Sequence, residues 1–485
     1  MKKWIACMLA LLFFVAAFGG CTSEGGESSV DSKSQSSPSE ENSESTESSE
    51  TEEAPSGEDL LVDFWSSPEQ NNLTFWTNYA EKFNETETQL NGKTVQVQVQ
   101  MMPAQPSSEA GLQNAIATDT IPAISENINR TVALIFSDAD AIYDLSEEEW
   151  FQTATENRQI AEILEGWALD GHQYVMPLYV NPIGYAYNSK ALRTLGITEV
   201  PTTLDDFYAL LDAYRDSQGA LDEQGITHFF FRDVLLQPTS YWERWFDVHS
   251  PYNALSGGTP MYDSEQLSVD QEALSTVYKM YGNMGSSLLT GTIENIWQQE
   301  TVPVVMGMGL PWDVAGNLAA GKTYGLDGDY VFGPMFVKNE GDTAYNYGDT
   351  KGLVMYKGHG VTEEEHEAAG LFLDYVFNGG GKDSFDLDWL TTTTMLPVRG
   401  DLDTYTGLTE YFAENPAMAE ISTMVKDAIP GPAVATEADM LTELGEKVIT
   451  PMINEFSQLE IHTDPVVSSY VEQSITVLEE AADYE

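Results

Sequence analysis

Residues 170–211 read DGHQYVMPLYVNPIGYAYNSKALRTLGITEVPTTLDDFYALL (Asp170–Leu211), and their last third carries a helix with its start signal attached. Leu204, Phe207, Leu210 and Leu211, with Tyr214 just beyond, recur at the spacing that places them on one helical face. Pro201 opens the segment and Thr202 or Thr203 caps it. Similar signals extend outward in both directions. Val95 to Gln100 (VQVQVQ) alternates apolar and polar residues and predicts a half-buried strand, while Phe75, Trp76, Tyr79 and Phe83 share a helical face. Thr362 followed by Glu365 has capping-box spacing, and Leu371, Phe372, Tyr375 and Val376 follow it. Strands separated by amphipathic helices predict α/β layers with parallel sheets. No internal repeat is present.

The chain opens on a different kind of sequence. Lys2 and Lys3 precede an apolar run from Trp4 to Phe18, which has the make-up of an export signal and is short for a membrane span. Phe18-Gly19-Gly20-Cys21 then resembles a bacterial lipobox, which implies cleavage before Cys21 and diacylation of its sulfur. Residues 1–20 are therefore expected to be a lipoprotein signal peptide. Two acyl chains suffice for stable anchoring. The chain has two cysteines, Cys7 and Cys21, so the processed protein would have no free thiol, disulfide or thiolate-held metal. From residue 21 to 58 the sequence is mostly Ser, Glu, Thr, Gly and Pro, with too little apolar surface to offset the cost of ordering it. We expect a disordered tether spanning about 35 Å by random-coil scaling.

Roughly 425 residues remain, more than one compact core usually holds and suited to two lobes. Against 21 Lys and Arg stand 78 Asp and Glu, a formal net charge of −57. A phosphate backbone demands the opposite sign, so nucleic acid is excluded as the expected partner. Anionic solutes are disfavoured too, unless a local basic pocket overcomes the global field.

Four stretches, taken in order, resemble the extracellular sugar-binding proteins of bacterial ATP-driven importers, the family that includes maltose-binding protein. In Asp170–Leu211 the family pattern is an Asp-Gly turn, a strand ending in Pro, a crossing between lobes, a Tyr-Asn strand end, then Pro and a capped helix. Val302–Leu318 (VPVVMGMGLPWDVAGNL) is similar to the family's strand followed by Gly-x-Pro-Trp, here Gly309-Leu310-Pro311-Trp312. Tyr347–Gly358 and Thr394–Leu402 (TMLPVRGDL) complete the set. The resemblance implies a two-lobed α/β fold of the periplasmic-binding-protein type II class, with a hinge and an interlobe ligand cleft. By the family's layout the N-terminal lobe holds 59–180 and 352–394, and the C-terminal lobe holds 184–346 and 398–485. The crossings fall near Val180-Asn181-Pro182, Gly348-Asp349 and Leu396-Pro397. It also implies a monomer that captures a carbohydrate, an oligosaccharide, for the permease subunits of an importer. That protein would lie on the outer face of the cell membrane, held by its lipid anchor alone, without catalytic residues, cofactor or metal.

A sugar ring has an apolar face and a rim of hydroxyls, so its site needs flat aromatic platforms and side chains that donate and accept hydrogen bonds. Trp312 is the leading platform, since similar proteins stack a Trp after Gly-x-Pro on the ligand. Its structural alternative is a helix-start aromatic packed on the sheet. Tyr241 and Trp242, in QPTSYWERWF, lie where the family presents aromatics from the C-terminal lobe. In the N-terminal lobe Trp65 and Glu69 follow the first strand, and Glu126 and Asn127 sit where family members place polar contacts. Tyr179 and Asn181 border the first crossing, Asp349 the second, and Arg399 lies just past the third; each is a candidate for ligand or for hinge structure. The loop Ile429–Met440 has no aromatic residue where maltose-binding proteins stack another Trp, so maltodextrin specificity is not carried over.

Gly316–Thr323 (GNLAAGKT) matches the phosphate-loop pattern, but the expected helix ends near Gly321 instead of opening at the Lys-Thr, and we read the match as coincidence. The histidines show no HExxH spacing, and Asp327-Gly328-Asp329 lacks a full calcium loop. Three alternatives stay open: a binding protein for a non-sugar solute, a surface glycoside hydrolase with paired carboxylates, and a sensor subunit feeding a signalling kinase.

Overall fold

A computed structural model describes residues 59–482 apart from 105–106, 234–245, 263–266, 292, 294, 432–434 and 461–463. The expected signal peptide, Cys21 and the tether lie outside these residues, as do Tyr241 and Trp242. Among the described residues no helix is long and apolar enough to cross a membrane.

Among the described residues two sheets, of seven and five strands, organise the molecule. The first has seven strands: β1 (Asp59–Ser66), β2 (Gln89–Leu90), β3 (Lys93–Met101), β4 (Ile124–Ile128), β5 (Met176–Pro182), β11 (Asn346–Met355) and β12 (Ala428–Pro430). The second has five: β6 (Gly184–Asn188), β7 (His228–Asp233), β8 (Leu288–Gly291), β9 (Val304–Gly309) and β10 (Tyr330–Gly333). β1 runs parallel to β3 and β4, and β7 runs parallel to β8 and β9. β11 returns antiparallel to β4 and β5. This is a mixed α/β, two-sheet architecture.

Local sequence explains the elements. In β3 Val95 and Val97 are buried while Gln96 and Gln98 are not, the alternation that a half-buried strand requires. Helix α1 (Gln70–Asn84) buries Phe75, Trp76, Tyr79 and Phe83 on one face. There they meet Phe64 of β1 and two aromatics of a later helix, with Phe75 edge-on to Phe385 and Trp389 at 5.4 and 5.0 Å. Fully burying each such side chain stabilises the fold by roughly 1.5–3 kcal/mol. Helix α2 (Leu204–Asp216) is capped by Thr203, which with Asp206 closes a capping box, and α3 (Glu363–Phe377) is capped by Thr362 and Glu365 in the same way. Phe385 and Trp389 belong to α4 (Lys382–Thr393).

Three segments run side by side where the sheets meet. β5 ends at Pro182, and only Ile183 separates it from β6 in the other sheet. Gly348 and Asp349 of β11 pair with Pro182 and Asn181. The Val180 N–H donates to the Leu396 carbonyl at 3.0 Å, and Tyr179 bridges to Pro397. Glycine is required here for close approach: a Cβ on Gly352 would sit 2.3 Å from the Met176 carbonyl oxygen, and one on Gly309 would sit 2.8 Å from Tyr185 backbone.

Candidate functional site

In open α/β sheets ligands bind beyond the carboxyl ends of the parallel strands. The topology brings those ends from both sheets to the crossing. β11 is antiparallel to β4, with Gly352 opposite Ile128, so the carboxyl end of β4 abuts the hinge residues that precede Gly352. β6 is antiparallel to β9, with Gly184 opposite Gly309, so the carboxyl end of β9 and the Leu310-Pro311-Trp312 turn after it begin at the same crossing. The segments that leave these strand ends, and so the candidate walls, are Trp65–Glu69 and Glu126–Arg130 from the first sheet and the Trp312 turn from the second.

Strand alternation decides which hinge side chains face this site. Tyr179 and Asn181 of β5 pair with Lys351 and Asp349 of β11, and the four share one face. Lys351 proves the direction: its Nζ donates to Asn127 Oδ1, at the end of β4, at 2.7 Å. Val180 and Thr350 point the other way, into a cavity of about 1090 Å³ that Val398 and Arg399 also line.

Glu126 and Asn127 owe their positions to a β-bulge. The pairing of β4 with β11 shifts between Gly352–Ile128 and Val354–Ser125, leaving two β4 residues opposite Leu353. Asn127 adopts a left-handed φ of 67°, which Asn tolerates better than most residues. Glu126 is buried to 1% exposure, where its carboxylate accepts from the Ser67 N–H at 2.7 Å and from Asn72 Nδ2 at 3.2 Å. Burial pushes this carboxyl up to about 7, against the pull of those hydrogen bonds and the Lys351 charge. The acid thus pins the loop after β1 to β4. Glu69, in that loop, is exposed and makes no side-chain cap on α1, while its N–H donates to Ser67 Oγ. Trp65 is half-buried against the first core.

At the hinge, Tyr179 is 5% exposed and stacks on Trp389 with centroids 6.2 Å apart. Burial raises its hydroxyl well above the usual value, and the charges of Asp349, Glu126 and Glu69 add to that. Asn181 is buried, its Oδ1 accepting weakly from the Leu396 N–H at 3.4 Å. Its Nδ2 has no partner among the described residues. Asp349 is half-buried opposite Asn181. On the far wall Trp312 is 39% exposed, which is unusual for so large an apolar side chain. Desolvation brings the neighbouring Asp313 carboxyl up to about 7, with the Leu310 N–H drawing it back.

The structure gives Arg399 a different task from the ligand contact considered for it. Its guanidinium donates to Asp401 twice, to Asp386 Oδ2 at 3.0 Å and to the Asn157 carbonyl, and its face lies 3.6 Å from the Tyr405 ring centroid. Asp386 also pairs with Arg158 at 2.6 Å, and Arg158 donates twice to the Val398 carbonyl. Arg399 is a buried ion-network member that secures the third crossing, with four of its five N–H donors engaged within the protein. The phosphate-loop lookalike is likewise occupied internally: Lys322 donates to the Gln299 carbonyl, and Thr323 donates to Asp329 through both N–H and hydroxyl.

Tyr179, Asn181, Asp349 and Lys351 thus share one strand face, which Asn127 joins through Lys351, while the Glu126 carboxyl turns inward to Ser67 and Asn72 and the turn that carries Trp312 starts from the same crossing. Sequence reasoning passed over Ser67, Asn72 and Lys351. A usable signal existed for Lys351, which lies two positions from Asp349 and therefore on the same strand face.

The profile of a family described as bacterial extracellular solute-binding protein matches residues 78–420. Among solved structures, the chain is similar to an uncharacterized protein of Listeria monocytogenes, at 26% identity over 87% of this chain and 98% of that one, with a TM-score of 0.73. It is similar in fold to the cyclic α-maltosyl-1,6-maltose binding protein of Arthrobacter globiformis, at 16% identity, 87% and 100% coverage and a TM-score of 0.66. It is also similar in fold to UgpB of Mycobacterium tuberculosis in complex with glycerophosphocholine, at 14% identity, 87% and 99% coverage and a TM-score of 0.63. Comparison with curated proteins returns no match.

Proposed function

The chain belongs to the bacterial extracellular solute-binding proteins, and on that premise we propose that it captures a carbohydrate, an oligosaccharide, between its lobes for uptake by an ATP-driven importer. The observation that carries this reading is the make-up of the converging walls: amide, carboxyl and hydroxyl groups on the hinge and first wall, faced by the exposed indole of Trp312. Such a set suits a guest that is apolar on its faces and hydroxylated at its rim. Desolvating those hydroxyls in a closed cleft makes every unpaired one costly, which sharpens selection. The fold shared with a maltosyl-maltose binding protein is consistent with it.

In this reading Trp312 is the stacking platform, and Trp65, Glu69, Glu126, Asn127, Tyr179, Asn181 and Asp349 supply contacts or their support, with Tyr241 and Trp242 as further aromatic candidates. The lobes comprise 59–180 with 352–394 and 184–346 with 398–485. Cys21 carries the lipid that holds the protein at the membrane, and no chemistry is performed on the solute. The test is a thermal-shift panel of oligosaccharides with glycerophosphocholine included. A ligand at a hundred times its Kd adds about 2.7 kcal/mol to stability. A response to glycerophosphocholine with none to any glycan would remove the carbohydrate reading, and cleavage of a bound glycan would remove the non-catalytic one.

A further inference from the structure

Lys351 of β11 and Asn127 of β4 lie 224 positions apart and meet at 2.7 Å beside the hinge. A lysine ammonium can only donate, so the atom it meets must be the amide oxygen of Asn127. That contact removes the usual twofold ambiguity of an asparagine side chain. With Oδ1 held by Lys351, Nδ2 is the end left to do other work. Its one hydrogen-bond contact among the described residues is to Met102 Sδ at 3.9 Å, and a thioether is a weak acceptor that an oxygen would readily replace. The left-handed backbone of Asn127 and the bulge beneath it are a local strain of the sort that accumulates at ligand sites. Glu126, on the same bulge, turns inward to Ser67 and Asn72 and leaves the outward position to Asn127.

We propose that Lys351 is a positioning residue for solute capture: by holding Oδ1 of Asn127 it makes that side chain present an N–H donor, and not an acceptor, to an oxygen of the solute. This rests on the carbohydrate reading and sharpens it. The matching point on the solute is an acceptor, such as a ring or glycosidic oxygen, an acetamido carbonyl, or a hydroxyl already donating elsewhere. Lys351 acts through Asn127 and does not touch the solute itself.

Four variants test the pairing, with maltotriose and triacetylchitotriose as probes in calorimetry. Lys351→Met keeps the aliphatic stem and frees the amide to flip, and should weaken binding at least tenfold, while Lys351→Arg restores it to within about threefold of wild type. Asn127→Asp strengthens the partner of Lys351 but replaces the outward donor with an acceptor. It should therefore lose at least tenfold, as should Asn127→Ala. Wild-type affinity in Asn127→Asp, or in Lys351→Met, overturns the proposal. A second arm needs no ligand: the unliganded wild type should show a nuclear Overhauser contact between the Asn127 side-chain amide protons and the Met102 methyl, lost in Lys351→Met and kept in Lys351→Arg. If wild type binds neither probe, the carbohydrate reading fails for those sugars. The Overhauser arm then decides the positioning claim, and its persistence in Lys351→Met would sink it.

Discussion

Replacing Glu126 by Gln should change how stability depends on pH, and the structure sets both sign and size. In the unfolded chain a glutamate releases its proton near 4.5, whereas burial raises Glu126 to about 7 in the folded protein. Between these values the folded state holds more protons than the unfolded one, so stability falls as pH rises. The contribution is complete below 4.5 and gone above about 7. At 1.36 kcal/mol for each pH unit, the interval from 4.5 to about 7 corresponds to roughly 3 kcal/mol. His249 works in the opposite direction over a similar range. Burial lowers it to about 4, so its contribution is complete above 6.5 and is lost as pH falls toward 4. The two partly cancel in the wild type, and only the difference between wild type and Glu126→Gln isolates the glutamate. Urea unfolding of both proteins from about pH 5 to about pH 8 stays above the sequence pI of 4.1 and so keeps them charged. Over that range Glu126→Gln should gain roughly 2–3 kcal/mol relative to wild type. Stability curves that run parallel, within about 0.5 kcal/mol, would mean that Glu126 stays ionised in its buried setting and would refute the desolvation argument.

Trp312→Ala should weaken binding of a responsive glycan at least tenfold while leaving the melting temperature nearly unchanged, because the indole is 39% exposed; calorimetry beside a thermal melt checks both. Asp386→Ala should destabilise the protein by about 3–5 kcal/mol in urea, since it takes from the buried Arg158 its carboxylate partner and from Arg399 one of two, yet leave affinity in the folded fraction unaltered. A loss of affinity without a loss of stability would restore Arg399 to the ligand site. Gly352→Ala should cost about 1–3 kcal/mol through the clash with the Met176 carbonyl, read as a lower urea midpoint with an unchanged slope.

What could be read in the sequence were features whose causes are local. Alternation in VQVQVQ produced β3, the face of Phe75, Trp76, Tyr79 and Phe83 produced α1, and Thr362 with Glu365 produced a capping box, since each depends on residues a few positions apart. The strand–helix alternation and the order of four stretches were enough for the fold. The charge count could not say which acids are buried. That was decided by tertiary structure, which sinks Glu126 beneath Ser67, commits Arg399 to Asp386 and Asp401, and carries Lys351 to Asn127. Except for Arg399 with its near neighbour Asp401, these partners lie 13 to 224 positions apart, and no periodicity links them. A side chain's role at this hinge follows from what folding packs against it, and a one-residue bulge in β4 is enough to send two adjacent residues to opposite tasks.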